Sequence, residues 1–321
     1  MTEGAARADA PRARRPQRLD PLEVRRTLKR EGLRASHSRS QNFLADPDVL
    51  QGILDLSEAG AGTRVLEIGP GLGILTGGLL DLGAAVTAVE LDRELVAYLR
   101  GRFAAAIAEG RLDLIEGDAL DIDLPEVVPA PYRVIANLPY HITSPILHRL
   151  LERSPYPERL VLMLQAEVAD RIAAAPGQMS YLSVFVQYHA AVRVALRVPA
   201  AAFEPAPKVA SAVVVLEPHR ELPLPPEREA ALWGLVQSGF RERRKMLRNV
   251  LARQLHAGDD GATGPLVGQA RVDEALAAAG IAGDRRPQTL SVEDWLRLFA
   301  ALGRAGVART ANAATAGEDA R

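Results

Sequence analysis

The alternation of short β-rich runs with helical segments is the feature that most constrains the fold of this chain. The predicted strands are 64–68, 85–90, 112–116, 133–136 and 160–164, and helical segments lie near 72–82, 92–108, 143–153 and 165–174. Parallel strands need a crossover connection, which is usually a helix. The pattern therefore predicts an α/β fold with a mostly parallel sheet that is covered by helices on both faces.

The pattern changes after residue 180. Residues 180–190 have helical spacing, and two further runs, 192–198 and 210–216, predict an antiparallel edge to the sheet. A Pro-rich stretch from Pro218 to Pro226 then precedes a purely helical region with predicted helices near 227–239, 241–255, 270–279 and 291–302. We expect an α/β domain over 20–218, a small all-helical domain over 225–303, and disordered tails at 1–19 and 304–321.

Two Asp-Pro pairs predict the starts of helices ahead of the sheet. Asp20-Pro21 and Asp46-Pro47 each place a capping side chain before a proline at the first helical position. The second helix has Val49, Leu50, Ile53 and Leu54 on one face, as expected for a helix that packs against a sheet.

Composition excludes several classes of protein. Of 321 residues, 48% are hydrophobic and 25% are charged, which is typical of a globular chain. The absence of cysteine excludes disulfides, thiolate zinc sites and a cysteine nucleophile, and the six scattered histidines predict no metal site. No apolar run approaches the roughly 20 residues that cross a bilayer, and the Arg-rich N-terminus is not a secretory signal. We therefore expect a cytoplasmic protein that does not bind membranes.

Charge is unevenly distributed along the chain. The net charge is −1, yet residues 1–40 carry +6 and residues 241–253 carry +5, which predicts a polyanionic partner. On a helix over 241–255, one face would carry Arg241, Arg244, Lys245 and Arg248. A neighbouring apolar stripe of Met246, Leu247, Val250 and Leu251 would pack inward. Alternatively, the charges belong to a solvated helix face and a disordered tail.

A glycine turn predicts a nucleotide-cofactor site. The sequence Glu67-Ile68-Gly69-Pro70-Gly71-Leu72-Gly73 leads from a buried strand into a helix, where glycine permits close approach of a ligand and the helix N-terminus offers free N–H groups. The dinucleotide fingerprint requires a further glycine at position 74, which is Ile74. This departure argues against a hydride-transferring enzyme.

Two acids follow the next two strands. Glu90 ends the second strand and could accept hydrogen bonds from ribose hydroxyls, while Asp118 follows the third strand and could accept the exocyclic amine of adenine. Either acid could instead cap the next helix, as could Asp92. Together, the three strand ends describe a pocket for an adenosine without a pyrophosphate, which indicates S-adenosylmethionine.

The fourth strand ends in Asn137-Leu138-Pro139-Tyr140. Asn and Pro commonly form turns, but this tetrapeptide also resembles the Asn/Asp-Pro-Pro-Tyr/Phe signature of methyltransferases that act on exocyclic amines. The N6 lone pair of adenine is conjugated into the ring, so acceptors at the Asn137 side chain and the Leu138 carbonyl would draw the nitrogen toward tetrahedral geometry. Tyr140 would stack on the extruded base, and catalysis would consist mainly of positioning.

With these motifs, the chain resembles the small-subunit ribosomal RNA adenine N6,N6-dimethyltransferases. The resemblance runs from about Ser40 to about Leu302. It is carried by Gln41-Asn42-Phe43-Leu44, Glu67-Ile68-Gly69-Pro70-Gly71, Glu90-Leu91-Asp92, Gly117-Asp118-Ala119, Asn137-Leu138-Pro139-Tyr140, Met163-Leu164-Gln165, Val198-Pro199, Phe203, Pro207-Lys208-Val209, Ser211-Ala212-Val213-Val214, Phe240 and Arg243-Arg244-Lys245.

The resemblance implies a Rossmann-like class I methyltransferase sheet and a helical RNA-binding domain. It implies that S-adenosylmethionine is bound by Asn42, Leu44, Gly69, Glu90, Asp118 and Asn137. It implies catalytic roles for Asn137, Leu138, Tyr140 and Phe203, of which Phe203 would be a second aromatic partner of the target base. Alternatively, Phe203 is a hydrophobic plug under its loop. The partner would be small-subunit ribosomal RNA within the 30S-type subunit, bound by a monomer, with two adjacent adenosines dimethylated.

Two features depart from the family pattern. Arg39-Ser40 stands where the family usually has an aromatic residue and glycine, and Gly77-Gly78 lies inside the predicted helical segment near 72–82, where glycine is unfavourable.

The sequence leaves three alternative functions open. The first is a non-catalytic RNA-binding assembly factor, which the intact set of cofactor and catalytic residues disfavours. The second is a methyltransferase of large-subunit RNA, which the basic helical region disfavours. The third is an amino-group DNA methyltransferase, which the lack of a separate target-recognition domain disfavours.

Overall fold

The structure is a computed structural model that describes residues 20–35, 41–255 and 266–315. Its strands are β1 Phe43–Leu44, β2 Arg64–Ile68, β3 Ala85–Glu90, β4 Leu112–Glu116, β5 Arg133–Asn137, β6 Arg159–Gln165, β7 Ala190–Val198, β8 Phe203–Glu204 and β9 Ser211–Pro218. The first nine helices are α1 Pro21–Arg30, α2 Pro47–Ser57, α3 Ile74–Asp81, α4 Arg93–Arg102, α5 Ala104–Ala108, α6 Leu124–Val127, α7 Thr143–Glu152, α8 Ala166–Ile172 and α9 Tyr181–His189. Four more follow β9: α10 Pro226–Phe240, α11 Leu247–Gln254, α12 Gln269–Ala278 and α13 Val292–Thr315.

The main sheet has the strand order β4-β3-β2-β5-β6-β9-β7. The strands β4, β3, β2, β5 and β6 are parallel neighbours, and an antiparallel edge completes the sheet. The chain moves outward from β2 to β3 and β4, and it then returns to the other side of β2 at β5. The carboxyl ends of β2 and β5 therefore flank a topological switch point, where ligands bind in open α/β sheets.

Burial explains why the central strands are continuously apolar. Val134, Ile135 and Ala136 of β5 are fully buried, as expected for strands covered by helices on both faces. Three predicted strands, 64–68, 85–90 and 112–116, have the predicted bounds, and the mostly parallel sheet with an antiparallel edge is confirmed.

The two Asp-Pro signals are also confirmed as helix starts. Asp20 precedes α1 and its side chain accepts the Glu23 N–H, while Asp46 precedes α2 and accepts from two main-chain N–H groups. These bonds satisfy donors that the first turn of a helix would otherwise leave unpaired.

The described residues form two compact units whose division differs from the predicted domain boundary. The first unit combines the chain up to Ala166 with Ala195–Val215, and the second combines Glu167–Val194 with Leu216 onward. Residues 167–194, which we predicted to belong to the sheet domain, therefore group with the helical region. The chain passes between the units within β7 and β9, so no single linker separates them.

The second unit has its own hydrophobic core, built around the fully buried Trp295. A Cβ at Gly239 of α10 would lie 2.4 Å from the Trp295 ring. This close packing needs glycine at that position.

The predicted helix over 241–255 is wrong in its first half. Residues 241–246 form turns, and α11 begins only at Leu247. The Leu247 N–H donates to the carbonyl of Arg285, and Met246 has the extended backbone angle ψ of 137°. This bond to a distant segment directs the chain out of α10 before the second helix starts.

The C-terminal helix is longer than predicted. We expected it to end near residue 302 and the tail 304–321 to be disordered, but α13 continues to Thr315. The added segment is rich in alanine, which has the highest helix propensity. The predicted disordered tail 1–19 and the last residues, 316–321, lie outside the described residues. No helix in the described ranges is long and apolar enough to cross a membrane.

Candidate active site

The predicted cofactor residues converge on one cavity in the first unit, at the carboxyl edge of the sheet. The cavity holds about 1140 Å³ of free space including its open mouth. Its lining includes every predicted cofactor residue: Asn42, Leu44, Gly69, Glu90, Asp118 and Asn137. The sequence motifs that carry these residues come from five separate segments. The parallel sheet brings four of them to one edge, and the β1 segment adds Asn42 and Leu44.

The glycine turn after β2 lines the cavity and packs closely against Phe43. Gly69 lines the cavity, and its N–H donates to the Val89 carbonyl. A Cβ at Gly71 would lie 3.1 Å from the Phe43 ring, and Gly71 has a φ of +59°. A side chain at this position would therefore be strained and would displace Phe43.

Glu90 ends β3 and faces the cavity while holding the neighbouring main chain. One carboxylate oxygen accepts the Gly71 N–H at 3.1 Å, and the other accepts the Asp92 N–H at 3.0 Å. Burial raises the pKa of Glu90 above its ordinary value, and the two main-chain donors oppose that shift. Through these hydrogen bonds, the Glu90 carboxylate connects the glycine turn to the end of β3.

The structure also separates the roles of Glu90 and Asp92. Asp92 is the N-cap of α4, where its side chain accepts from the N–H groups of Glu94 and Leu95, and it also accepts from the Gln41 amide. Glu90, by contrast, lines the cavity. The capping alternative that the sequence left open between these two acids therefore applies to Asp92.

Asp118 lies beyond the end of β4, on the cavity wall. Its oxygen Oδ1 accepts the Leu120 N–H at 2.8 Å, so the residue does stabilise its own turn. Since β3 and β4 pair with Glu90 opposite Glu116, Asp118 is two residues past the level of Glu90. Two carboxylates therefore stand along one wall of the cavity.

Glu67 is a buried acid at the start of the motif that contains the glycine turn. It lies on β2, lines the cavity and is only 1% exposed. The Thr76 hydroxyl donates to it at 2.7 Å. Desolvation raises the pKa of Glu67 to about 8, although the Thr76 bond opposes the shift. Glu67 is therefore largely protonated at neutral pH.

The side-chain amide of Asn137 is oriented by a segment far away in sequence. Nδ2 of Asn137 donates to the main-chain carbonyl of Asn42 at 3.4 Å. Because Nδ2 points toward Asn42, the side-chain oxygen Oδ1 is directed away from that carbonyl. Oδ1 of Asn137 is therefore a hydrogen-bond acceptor on the cavity wall.

The rest of the tetrapeptide continues along the same wall. Leu138 and Tyr140 both line the cavity, and the Leu138 side chain is buried while its N–H donates to the Met163 carbonyl. Tyr140 opens a short 3-10 turn, Tyr140–Ile142. Burial raises the pKa of the Tyr140 phenol, and a hydrogen bond with Ser211 opposes that shift.

The structure does not bring Phe203 to the cavity. Phe203 is 1% exposed, lies in the hydrophobic core and is absent from the cavity lining. It pairs with Leu44 in a two-stranded sheet of β1 and β8, which turns its ring into the core. This burial supports the plug alternative, and the role as a second aromatic partner of the base stays a prediction.

The basic residues predicted to bind RNA belong to the second unit. Arg241, Arg244 and Lys245 lie in the exposed turn after α10, and Arg248 is exposed on α11. Arg241 donates to the side chain of Gln254. Of the apolar stripe predicted beside them, Leu247, Val250 and Leu251 are buried, but Met246 is 42% exposed.

One of the two departures from the family pattern has a steric explanation. A Cβ at Gly78 would lie 2.7 Å from the Leu54 side chain of α2, whereas a Cβ at Gly77 would make only ordinary contacts. Gly78 therefore allows α3 to pack closely on α2, and nothing in the structure explains Gly77. The other departure, Arg39-Ser40, lies outside the described residues.

Sequence reasoning assigned no role to several residues of the cavity lining, among them Glu67 and Leu91. Glu67 lies near the carboxyl end of β2, and this position in the motif was the sequence signal that could have identified it as a cavity residue. Leu91 follows Glu90 directly, lines the cavity and is 49% exposed, an unusual exposure for a large apolar residue. Within the described residues, no group of three His, Asp or Glu side chains could hold a metal ion.

The residues of the cavity fit S-adenosylmethionine. A carboxylate at the end of β3 and another after β4 match the polar groups of an adenosine, and Phe43, Leu72 and Leu91 add apolar lining. Gly69 and Gly71 of the turn carry no side chains that would obstruct a ligand. Glu90 would hold the ribose and Asp118 the adenine.

Comparisons with known proteins identify the family. A family model described as Ribosomal RNA adenine dimethylase matches residues 32–302. The protein named Ribosomal RNA small subunit methyltransferase A from Geobacter sulfurreducens is 41% identical over 286 residues, which cover 87% of this chain and 99% of the relative. The protein of the same name from Thermosynechococcus vestitus is 42% identical and covers 84% of this chain and 97% of the relative.

Solved structures agree with this assignment. A dimethyladenosine transferase from Plasmodium falciparum has a TM-score of 0.69 at 26% identity, covering 82% of this chain and 98% of that one. The 23S rRNA methyltransferase ErmE has a TM-score of 0.63 at 29% identity, covering 82% of this chain and all of that one. On the family match and the relatives above 40% identity, this chain belongs to the ribosomal RNA adenine dimethylase family.

Proposed function

We propose that this protein transfers methyl groups from S-adenosylmethionine to the N6 amines of adenosines in small-subunit ribosomal RNA. Two adjacent adenosines would be dimethylated during assembly of the small subunit. The observation that carries the proposal is the placement of Asn137-Leu138-Pro139-Tyr140 on the wall of the cavity that also contains Glu90 and Asp118. The relatives at about 40% identity, which are named small subunit methyltransferases, support the choice of RNA.

Three segments would bind the cofactor. The Glu90 carboxylate would accept hydrogen bonds from the ribose hydroxyls, and the second oxygen of Asp118, Oδ2, would accept a hydrogen bond from the adenine amine. Gly69 would allow the ligand to approach the main chain, while Asn42 and Leu44 would cover it. These roles fit side chains that already share one cavity.

The chemistry depends on positioning the target amine. S-adenosylmethionine supplies an electrophilic methyl group whose carbon–sulfur bond breaks with the electron pair left on sulfur. Oδ1 of Asn137 and the Leu138 carbonyl would accept hydrogen bonds from the N6–H groups, two in the first transfer and one in the second, so that the lone pair leaves conjugation and forms the new nitrogen–carbon bond. The proton becomes acidic only after transfer and then passes to solvent. No strong base is required in advance, and most of the rate acceleration comes from orientation.

The base itself would be held by the aromatic ring of Tyr140. An adenosine extruded from its RNA stack needs a new surface, and stacking on an aromatic ring stabilises it by about 1–3 kcal/mol. With Phe203 buried in the core, Tyr140 is the aromatic residue of the tetrapeptide that lines the cavity.

The exposed basic residues Arg241, Arg244, Lys245 and Arg248 would bind RNA phosphates. Arginine suits this role because its planar fork donates to two phosphate oxygens. The turn between α10 and α11 presents three of these cations without a helical scaffold. We propose that the protein acts as a monomer in the cytoplasm, where its ribosomal substrate is assembled.

Two other candidate functions would give different binding and methylation results. A non-catalytic assembly factor would bind ribosomal RNA without binding S-adenosylmethionine, whereas the complete set of cofactor and tetrapeptide residues in the cavity favours an enzyme. A methyltransferase of large-subunit RNA would modify 23S-type RNA. One structural relative, ErmE, is named a 23S rRNA methyltransferase.

Methyl transfer to isolated subunits distinguishes the three functions. The protein is incubated with methyl-labelled S-adenosylmethionine and with unmethylated small subunits or large subunits in parallel. We expect label in small-subunit RNA only. Label in large-subunit RNA alone would favour the second alternative, and RNA binding without label or cofactor binding would favour the first.

A further inference from the structure

A hydrogen bond joins the hydroxyl groups of Tyr140 and Ser211 at 2.7 Å. Tyr140 lines the cavity, whereas Ser211 is fully buried with 0% of its surface exposed. The two residues are 71 positions apart in sequence. No other hydrogen bond of the Ser211 hydroxyl is found within the described residues, so this side chain is committed to the phenol.

The sheet holds Ser211 firmly. It is the first residue of β9, and the neighbouring Ala210 accepts a main-chain hydrogen bond from Ala166, just after β6. Because β9 belongs to the antiparallel part of the sheet, its first residue lies at the edge where the parallel strands end. The hydroxyl therefore reaches the catalytic edge from a rigid strand and not from a loop.

Tyr140, in contrast, has little regular structure to orient it. It follows Pro139 and begins a single 3-10 turn, and its hydroxyl group is the far end of a side chain with two rotatable bonds. A bond at that far end fixes the ring in addition to its attachment at Cα. The ring then presents a defined face toward the cavity.

We propose that Ser211 is a positioning residue that holds the Tyr140 ring in the orientation required to stack on the target adenine. The inference rests on the proposed function, since it assigns Tyr140 to the base. A ring that is already fixed loses less conformational freedom when the base arrives. Ser211 therefore improves both the binding of the RNA base and its alignment with the acceptor of Asn137, without touching either substrate.

A double-mutant cycle with Ser211→Ala and Tyr140→Phe tests the proposal. Each single change removes one hydroxyl of the same bond, and Tyr140→Phe retains the ring. We expect each to lower kcat/KM for small subunits about 3- to 10-fold, and the double variant to be no worse than the poorer single variant. Cofactor affinity measured by calorimetry should not change. Multiplicative losses in the double variant would overturn the proposal.

A second measurement does not depend on methyl transfer. The chain contains six tyrosines, so ring-labelled tyrosine gives a spectrum in which the Tyr140 signal is identified by its loss in Tyr140→Phe. We expect Ser211→Ala to shift or broaden that signal selectively. An unchanged Tyr140 signal would overturn the role of Ser211, whereas an inactive wild type would count against the proposed function. If Ser211→Ala does not fold, Tyr140→Phe still reports on the same bond through kcat/KM, and wild-type turnover in that variant would also overturn the role.

Discussion

The side-chain nitrogen of Asn137 lies 3.4 Å from the main-chain carbonyl oxygen of Asn42, a residue 95 positions earlier in the chain. This contact connects the segment around β1 to the residue that ends β5. A nitrogen that donates to this carbonyl leaves the side-chain oxygen to accept a hydrogen bond from another group. The orientation that the proposed mechanism needs is therefore present without substrate.

The first prediction concerns this amide. Asn137→Ala should lower methyl transfer by about 10²- to 10³-fold, the usual effect of removing one polar group that contacts the reacting centre. The melting temperature should change little, since Asn137 is at a strand end and is only partly buried. Single-turnover transfer to small subunits measures the effect. Asn137→Asp retains a side-chain acceptor and should keep more activity than Asn137→Ala, and equal activity of all three proteins would contradict the role.

The second prediction concerns Glu90. Glu90→Ala should weaken S-adenosylmethionine binding roughly 10- to 150-fold, corresponding to the loss of about 1.5–3 kcal/mol in hydrogen bonds to a charged group. Because Glu90 also accepts the Gly71 and Asp92 N–H groups, we expect a lower melting temperature as well. The isosteric variant Glu90→Gln removes the charge but keeps one acceptor oxygen, so it should lose only one of the two main-chain bonds and lower the melting temperature less than Glu90→Ala. Calorimetry should show weakened binding in Glu90→Gln, and an unchanged dissociation constant would reject the ribose role.

The third prediction concerns pH. The pKa of Glu67 is raised from 4.5 in its ordinary state to about 8 in the folded protein, so the folded state binds more protons than the unfolded state between these values. The contribution of Glu67 to stability is therefore complete below about pH 4.5 and declines as pH rises to about 8, by up to about 1.4 kcal/mol per pH unit.

Glu67→Gln isolates this contribution because the amide keeps an acceptor for Thr76 but does not titrate. Urea unfolding from pH 5 to pH 8.5 should show a free energy of unfolding that falls less steeply in the variant than in the wild type. Parallel pH dependences would show that Glu67 is not protonated in the folded protein.

The fourth prediction concerns the turn between α10 and α11. Replacing Arg244 and Lys245 with Ala should weaken binding to small subunits and reduce the salt dependence of that binding by about two units of slope, one for each lost phosphate contact. Binding is measured from low to moderate salt. Cofactor affinity should be unchanged.

A matched control removes the same charge elsewhere. Arg64 and Arg111 lie at or just before the amino ends of β2 and β4, the sheet edge opposite the cavity, so Arg64→Ala with Arg111→Ala should leave the salt slope nearly unchanged. Equal slopes for wild type and the Arg244/Lys245 variant would refute the phosphate contacts. A large fall in melting temperature would instead assign these residues to the structure of the second unit.

The fifth prediction separates the two roles considered for Phe203. Because its ring lies in the core beside Leu44, Phe203→Ala should destabilise the fold by about 3–5 kcal/mol. Phe203→Leu keeps an apolar side chain and should retain most of the activity while lowering the melting temperature slightly. A Phe203→Leu variant with wild-type stability and a strongly raised KM for the RNA would favour the stacking role.

Local patterns were sufficient for the strands and for the residues at their ends. The bounds of β2, β3 and β4 follow from short apolar runs, and parallel topology alone brings Gly69, Glu90 and Asp118 together. These features depend on periodicity and chain order, both of which are visible in the sequence.

Long-range contacts determine the features that local patterns did not predict. The helix predicted over 241–255 is interrupted because Leu247 bonds to Arg285, and the ring of Phe203 is buried because β8 pairs with β1. The partner of Ser211 is a tyrosine 71 residues away. None of these partners can be identified from local spacing.

Nucleoside analysis of the reaction product tests the central claim most directly. Unmethylated small subunits are incubated with S-adenosylmethionine and either wild type or Asn137→Ala, and their ribosomal RNA is digested and analysed by mass spectrometry. We predict N6,N6-dimethyladenosine with the wild type and at most traces of it with Asn137→Ala, although both proteins bind the cofactor. Absence of this nucleoside with the wild type, or equal amounts with both proteins, would contradict the account.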